Sequence, residues 1–120
     1  QNVLGEEELG SDRDSERGGD GHGGAITIGN ALAGFFEKYD VYPDTGMAVA
    51  GKGGKGGGRW NMATITWNGE KVADIYNNGN IDADKEPKDP QALRAYEALH
   101  ANPKEARAIT QKAADKYGSP

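Results

Sequence analysis

The dipeptide Asn68-Gly69 and the β-prone runs on both sides of it constrain the fold of this chain more than any other feature. Asn-Gly tolerates the two positive φ angles of a type I′ turn, so it predicts a β-hairpin over residues 61–76. A two-residue turn places Trp67 opposite Glu70, and this pair fixes the register of the whole hairpin. The hairpin is therefore the first fixed point of the fold.

The register sorts the hairpin side chains onto two faces. Four residues share the more apolar face, which is therefore assigned to the core: Ile65, Trp67, Val72 and Tyr76. In this register Asn61 lies opposite Tyr76, and Met62 and Ile75 fall on the opposite face near the open end. Either that end is covered as well, or a bulge shifts the register.

A helix and a strand are predicted before the hairpin. Residues 26–40 have apolar side chains at helical spacing, although Gly29 and Gly34 each weaken a helix by about 1 kcal/mol relative to alanine. The stripe consists of Ile28, Leu32, Phe35, Phe36 and Tyr39. Residues 47–50 form a short apolar run, which predicts the first strand.

Two helices are predicted after the hairpin. The first begins with Asp89 as N-cap and a proline at the next position. The second has Asn102 as N-cap and Glu105 at the third helical position, which is a capping-box pattern. Their predicted apolar stripes are Leu93, Tyr96 and Leu99 in the first helix, and Ala106, Ile109, Ala113 and Tyr117 in the second.

The predicted fold is α+β, with a three-stranded antiparallel meander, helices on one face, and the order α-β-β-β-α-α. Residues 77–80 are expected to end the sheet, and residues 81–88 to form a charged loop. Residues 25–120 are predicted to form a single small domain. Residues 1–24 are predicted to be a disordered, acidic, glycine-rich arm.

Charge and composition exclude several classes of function. The chain has no cysteine, so thiol catalysis and thiolate metal sites are excluded. Its net charge of −5 lies in residues 1–24, and the remainder is neutral. No apolar run is long enough to span a bilayer, so no membrane association is expected. The expected location is the cytoplasm, or the virion if the protein is phage-encoded.

The segment of residues 51–58 is the main candidate for a binding loop, because six of its eight residues are glycine. Lys52, Lys55 and Arg59 place three positive charges on a backbone that can approach a phosphate closely, and Trp60 follows directly. Basic residues beside aromatic residues suit contact with a nucleic-acid backbone and unstacked bases. We name Lys52, Lys55, Arg59 and Trp60 the basic loop, with Tyr42 and Trp67 as expected aromatic neighbours.

Other interpretations of the basic loop are a soluble hairpin connection and a protein contact. Residues 46–52 also match the start of a P-loop, but Gly53 stands where that motif needs serine or threonine. No helix is predicted after the loop to hold a phosphate, so nucleotide hydrolysis is not expected. The acidic arm has charge opposite to the loop and is expected to compete with an anionic ligand for it.

Metal, cofactor and catalytic sites have weaker support. Asn80, Asp82 and Asp84 alternate as in a calcium loop, but Lys85 replaces the required glycine and Gln91 the required glutamate. We therefore expect no metal and no cofactor.

An enzyme is the third hypothesis, and it would have to use carboxylates such as Asp40, Asp44 and Asp74. His22 and His100 have no visible nucleophile or second ligand in the sequence.

The order α-β-β-β-α over residues 26–100 resembles that of double-stranded RNA-binding domains. That family carries a Lys-Lys-x-Ala-Lys type cluster at the start of its last helix, whereas residues 89–94 here read Asp-Pro-Gln-Ala-Leu-Arg. The family's function is therefore not carried over. The hairpin segment of residues 67–72 and the following Asn77-Asn78-Gly79 are similar to segments of small phage-encoded proteins, which implies a phage or mobile-element origin.

The sequence as a whole predicts a small non-enzymatic binding module that contacts nucleic acid through the basic loop and adjacent aromatic residues. The alternative is a protein-interaction module, such as a phage-encoded inhibitor or a virion component, that uses the acidic arm or a sheet edge. The sequence gives no indication of the oligomeric state.

Overall fold

A computed structural model of the protein describes residues 20–51 and 61–117. Within these ranges the chain is α+β, with a four-stranded antiparallel sheet in the order β1-β2-β3-β4. The elements are α1 (Asp20–Lys38), a short 3-10 helix (Pro43–Thr45), β1 (Met47–Ala50), β2 (Asn61–Trp67), β3 (Glu70–Tyr76), β4 (Ile81–Asp82), α2 (Pro90–Ala101) and α3 (Pro103–Tyr117). Helix α1 begins earlier than predicted, and residues 1–19 of the acidic arm lie outside the described residues.

The sheet has a fourth strand, so the predicted three-stranded meander is wrong in this respect. Strand β4 pairs antiparallel with β3 and places Ile81 opposite Ile75. Residues 77–80 do not end the sheet but form a turn that leads from β3 back into β4. The Tyr76 amide closes this turn by donating to the Asn80 carbonyl over 3.0 Å. Two paired residues inside a charged segment have too little periodicity to indicate a strand.

The predicted hairpin turn is confirmed. Asn68 and Gly69 have φ angles of 50° and 88°, which a type I′ turn requires. Trp67 lies opposite Glu70, and the register also agrees with the prediction at the other end of the hairpin. The prediction is wrong only in the middle of the hairpin, where the register shifts twice.

Two β-bulges cause this shift. Ile65 lies opposite Ala73 instead of Val72, which leaves Val72 as the extra residue of β3. A second bulge at Met62 restores the register. At each bulge two consecutive residues are buried: Met62 with Ala63, and Val72 with Ala73. The predicted alternative of a bulge is therefore confirmed.

The bulges also correct the predicted core face of the hairpin. Met62 and Ile75 are buried in the main core, not on the opposite face. Tyr76 follows Ile75 in the strand, so it lies on the other face and is only half-buried. Ile65 and Trp67 are fully buried, as predicted.

Helix α1 covers the β1 end of the core. Its predicted stripe is confirmed, because Ile28, Leu32, Phe35 and Phe36 are all buried. A Cβ atom at Gly29 would lie 2.7 Å from Cγ2 of Val49. This glycine therefore allows the helix to approach strand β1 closely, which offsets its low helix propensity.

Helix α2 packs on the core mainly through alanines, and of its predicted apolar stripe Leu99 is buried and Tyr96 packs against the core. Its N-cap is confirmed, because Oδ2 of Asp89 accepts hydrogen bonds from the amides of Gln91 and Ala92, each 3.0 Å long. Leu93 and Tyr96 are only half-buried. The buried residues are Ala92, Ala95, Ala98 and Leu99, whose mostly small side chains let the helix lie close to β3.

The predicted capping box of α3 is wrong. The side-chain amide of Asn102 donates backwards to the Ala98 carbonyl over 3.1 Å, so it satisfies the end of α2. Glu105 instead accepts hydrogen bonds from Lys38 Nζ at 3.0 Å and from the Tyr39 hydroxyl. Glu105 therefore ties the start of α3 to the end of α1.

The buried face of α3 includes a polar residue, Thr110. Ala106 and Ala113 are buried as predicted, whereas Ile109 is half-buried. Thr110 is fully buried, and its hydroxyl donates to the Gly79 carbonyl over 2.5 Å. This bond fixes the turn between β3 and β4 against α3.

Candidate functional site

The sheet has one face in contact with helices and one face without such contact. The buried residues of the strands and helices join a single hydrophobic cluster on the first face. No helix in the described part of the chain covers the second face, which we call the polar face. Its residues are Ala48, Ala50, Asn61, Thr64, Thr66, Lys71, Asp74, Tyr76 and Asp82, and none of them is buried.

Asp74 is the centre of a hydrogen-bonded group on the polar face. Its carboxylate accepts from the Thr64 hydroxyl and from Lys71 Nζ, both at 2.8 Å. Its side chain is 13% exposed, whereas that of Lys71 is 57% exposed. The Thr64–Asp74 bond joins β2 to β3 and helps to hold them in register, whereas Lys71 and Asp74 both lie on β3.

The charge states of this group follow from these contacts. Burial alone raises the pKa of Asp74, but the hydrogen bonds from Lys71 and Thr64 outweigh burial and hold the pKa below its ordinary value. The hydrogen bond to Asp74 in turn raises the pKa of Lys71. Asp74 is therefore ionised at neutral pH and poorly suited to act as a general base there.

The β4 edge of the polar face is acidic. A hydrogen bond with Asp84, followed by burial and the charge of Asp84, raises the pKa of Asp82. Asp82 also lies opposite Asp74 in the sheet. The side of the face formed by β1 and the centre of β2 carries only alanine and threonine. The polar face thus changes from neutral at β1 to acidic at β4.

The basic loop, with its predicted site residues Lys52, Lys55, Arg59 and Trp60, lies outside the described residues. The residues that lead into and out of it are described. Strand β1 ends at Ala50, which lies opposite Thr64, and β2 begins at Asn61, which lies opposite Tyr76. Both attachment points therefore lie at the same end of the polar face.

The aromatic residues near this end differ from those predicted. Trp67 is fully buried, packs edge-on against Phe36 with ring centroids 5.1 Å apart, and donates from Nε1 to the Thr45 hydroxyl over 3.0 Å. Tyr42 is 49% exposed, but it precedes the other end of β1. Both therefore lie at the opposite ends of β1 and β2 from Ala50 and Asn61, the described residues next to the basic loop.

Tyr76 is the aromatic residue that sequence analysis missed. It lies on the polar face beside the β2 end of the basic loop, and its ring is half-buried. The sequence predicts that Tyr76 pairs with Asn61, and this pairing is correct. Unbroken alternation along the strand nevertheless assigns the Tyr76 ring to the core face. Only the two bulges reveal its true face.

The described residues contain neither a metal-binding cluster nor a membrane-spanning helix. No group of three or more histidine, aspartate or glutamate side chains in residues 20–51 and 61–117 is arranged to hold a metal ion. In the same ranges, no helix combines the length and apolar character needed to cross a membrane.

Comparisons with protein-family models, with curated proteins and with solved structures found no match to this chain.

Proposed function

We propose that this protein is a small, non-enzymatic module that binds single-stranded nucleic acid. In this proposal Lys52, Lys55 and Arg59 contact phosphates, and Trp60 stacks on a base. The observation that carries the proposal is the position of the two loop attachment points, at one end of a sheet face that no described helix covers.

The distribution of charge supports a path for the strand across this face. The surface next to the loop consists of Ala48, Ala50, Thr64 and Thr66, which present small or neutral side chains. Tyr76 adds a ring on which a base can stack. Acidic side chains concentrate towards β4, so the phosphates are expected to follow the loop and β1 and to avoid that edge.

Binding without catalysis is favoured by the state of the carboxylates. Asp74 is held ionised by its hydrogen bonds, and Asp40 and Asp44 are exposed. A carboxylate held ionised like that of Asp74 is poorly suited to act as a general acid or base near neutral pH. A carboxylate enzyme therefore remains the weaker proposal.

The test is a titration with a fluorescently labelled single-stranded oligonucleotide. If three phosphates are neutralised, affinity should fall roughly 20-fold between about 50 and 200 mM salt. Replacing Lys52 and Lys55 together with alanine should reduce this dependence to roughly threefold, because one cation of the loop remains. The intrinsic fluorescence of Trp60 should change on binding, while the buried Trp67 serves as an internal reference.

The control is Lys85→Ala combined with Lys88→Ala. Both lysines are exposed, and replacing them removes the same charge as replacing Lys52 and Lys55 does. They lie in the connection between β4 and α2. This control should preserve most of the affinity. Absence of saturable binding at about 50 mM salt, or equal losses in both double variants, would refute the proposal.

The alternative is a protein-interaction module, and one observation favours it. Strand β1 is an edge of the sheet, so one side of its backbone is available for pairing with an added strand. A phage-encoded inhibitor or virion component could use this edge. Partner binding through β1 should survive the Lys52 and Lys55 substitutions but be lost in Val49→Pro, which removes backbone pairing capacity.

A further inference from the structure

A groove separate from the polar face lies on the helix side of the β4 edge. One wall is the segment of residues 80–84, and the other consists of the end of α2 and the first two turns of α3. Its volume is about 560 Å³. Sites for small molecules in proteins span roughly 300–1,000 Å³, so the groove has room for a compact organic ligand.

The lining of the groove combines an apolar floor with cations on one side. Ile81, Leu99 and Pro103 provide apolar surface. Lys104 and Arg107 lie three residues apart on α3, so they are neighbours on one face of that helix. An apolar surface beside converging cations is suited to a molecule with an apolar body and an anionic group.

The two cations are available for a ligand. Lys104 is exposed, and neither Lys104 nor Arg107 forms an ion pair within residues 20–51 and 61–117. Arg107 donates one hydrogen bond to Oε1 of Gln111 over 2.5 Å, and its guanidinium has further donors. The planar guanidinium fork matches both oxygens of a carboxylate.

His100 adds an ordered flat surface to the groove. Its Nδ1 donates to the Tyr96 carbonyl over 2.9 Å, and the two rings are in contact, with centroids 4.2 Å apart and planes tilted by 36°. These two contacts limit rotation of the imidazole. A ring that is already ordered loses little conformational entropy when a ligand packs against it.

The net charge of the groove lining indicates which class of anion the groove suits. Among the described lining residues, Lys104 and Arg107 contribute two positive charges and Asp84 one negative charge, so these three together carry one positive charge. A monoanionic carboxylate balances this charge, whereas a phosphate dianion exceeds it. We infer that the groove is a binding site for a small organic carboxylate with an aromatic or alkyl body.

The proposed carboxylate site uses described residues of the β4 segment, α2 and α3, so it does not rest on nucleic-acid binding by the basic loop. The carboxylate-site proposal and the nucleic-acid proposal can therefore be refuted independently of each other. The basic-loop variant with Lys52 and Lys55 replaced by alanine should bind the carboxylate unchanged.

The test uses 2-naphthoate as the probe and the full chain as the protein, followed by ¹⁵N–¹H NMR. Saturable shifts are expected at Ala83, Leu99, His100 and Arg107, and the uncharged 2-naphthamide should bind at least about tenfold more weakly. Excess inorganic phosphate should not displace the probe. Equal binding of the acid and the amide would overturn the inference.

Substitutions locate the site. Lys104→Gln with Arg107→Gln should weaken 2-naphthoate binding by roughly tenfold or more. Lys85→Gln with Lys112→Gln removes two exposed charges that do not line the groove and should leave binding unchanged. If the Arg107 change prevents folding, Lys104→Gln alone must still weaken binding, because Lys104 has no partner in the described structure whose loss could unfold the chain.

Two other results would also overturn the inference. One is an absence of saturable shifts at millimolar probe. The other is binding that appears only after residues 1–19 are deleted, because it would identify the chain's own acidic arm as the occupant of the groove.

Discussion

The two faces of the sheet differ in what they contact and in what they contribute. On the helix side, Ile65, Trp67 and Ile75 are fully buried, so hydrophobic burial dominates there. On the polar face, Asp74 and its neighbours are joined by hydrogen bonds that partly exchange with water. The difference indicates that the helix-covered face supplies most of the stability.

Neighbouring residues of β2 provide the largest test of this difference. Ile65→Ala removes a fully buried side chain and should cost about 2–5 kcal/mol of unfolding free energy. Thr66→Ala, one residue further on and on the polar face, should change stability by less than about 1 kcal/mol. Urea unfolding followed by Trp67 fluorescence measures both. Similar losses would show that the polar face is also part of the core.

Two glycines of α1 test the close packing of the helix-covered face. Gly29→Ala places a Cβ 2.7 Å from Val49 Cγ2 and should destabilise the protein by about 1–3 kcal/mol. Gly34→Ala meets no atom within 4 Å and should stabilise it by about 0.5–1 kcal/mol through helix propensity. Thermal unfolding should move the two melting temperatures in opposite directions. A gain in both variants would mean that α1 and β1 are less closely packed than described.

Asp74 should have the smallest effect on stability. Because its folded-state pKa is lowered, its contribution is present above the ordinary aspartate pKa of about 3.9 and is lost as pH falls through the folded-state value. Asp74→Asn should cost about 1 kcal/mol or less at pH 7, since Lys71 is largely exposed. The difference from the wild type should shrink at about pH 2.5.

The matched control for this pH dependence is Asp44→Asn. Asp44 is exposed and makes no hydrogen bond or ion pair in the described part of the chain. Its removal should leave the free energy of unfolding in urea at pH 7 close to that of the wild type. A loss for Asp74→Asn that stays constant from pH 7 to about pH 2.5 would contradict the assigned ion pair.

Features set by local chemistry could be predicted from the sequence. The Asn68-Gly69 turn, the Asp89 N-cap and the α1 stripe depend on nearby residues, and all three are confirmed. The bulges at Met62 and Val72 depend on which side chains the helices cover. Strand β4 likewise follows a turn that the Thr110 hydroxyl joins to α3 by a long-range hydrogen bond. Such tertiary contacts leave little trace in a single sequence.

The candidate site likewise contains some residues that the sequence identifies and others that only the structure identifies. The basic residues of the loop are visible in the sequence, and they remain a prediction because the structure does not describe them. Trp67, a predicted neighbour of the loop, is buried against Phe36 at the end of β2 that is remote from Asn61. Tyr76 could not be recognised until the bulges assigned it to the polar face. Alternation identifies a face only where the strand has no bulge.

A ¹⁵N–¹H NMR titration of the full chain with a single-stranded oligonucleotide at low salt tests the central claim most directly. If the polar face binds the strand, the amide signals of Thr64, Thr66 and Tyr76 should shift progressively, while those of Ala95 and Thr110 on the buried helix faces stay in place. Shifts confined to the helices, or no shifts at any salt concentration, would contradict the assignment of binding to this face.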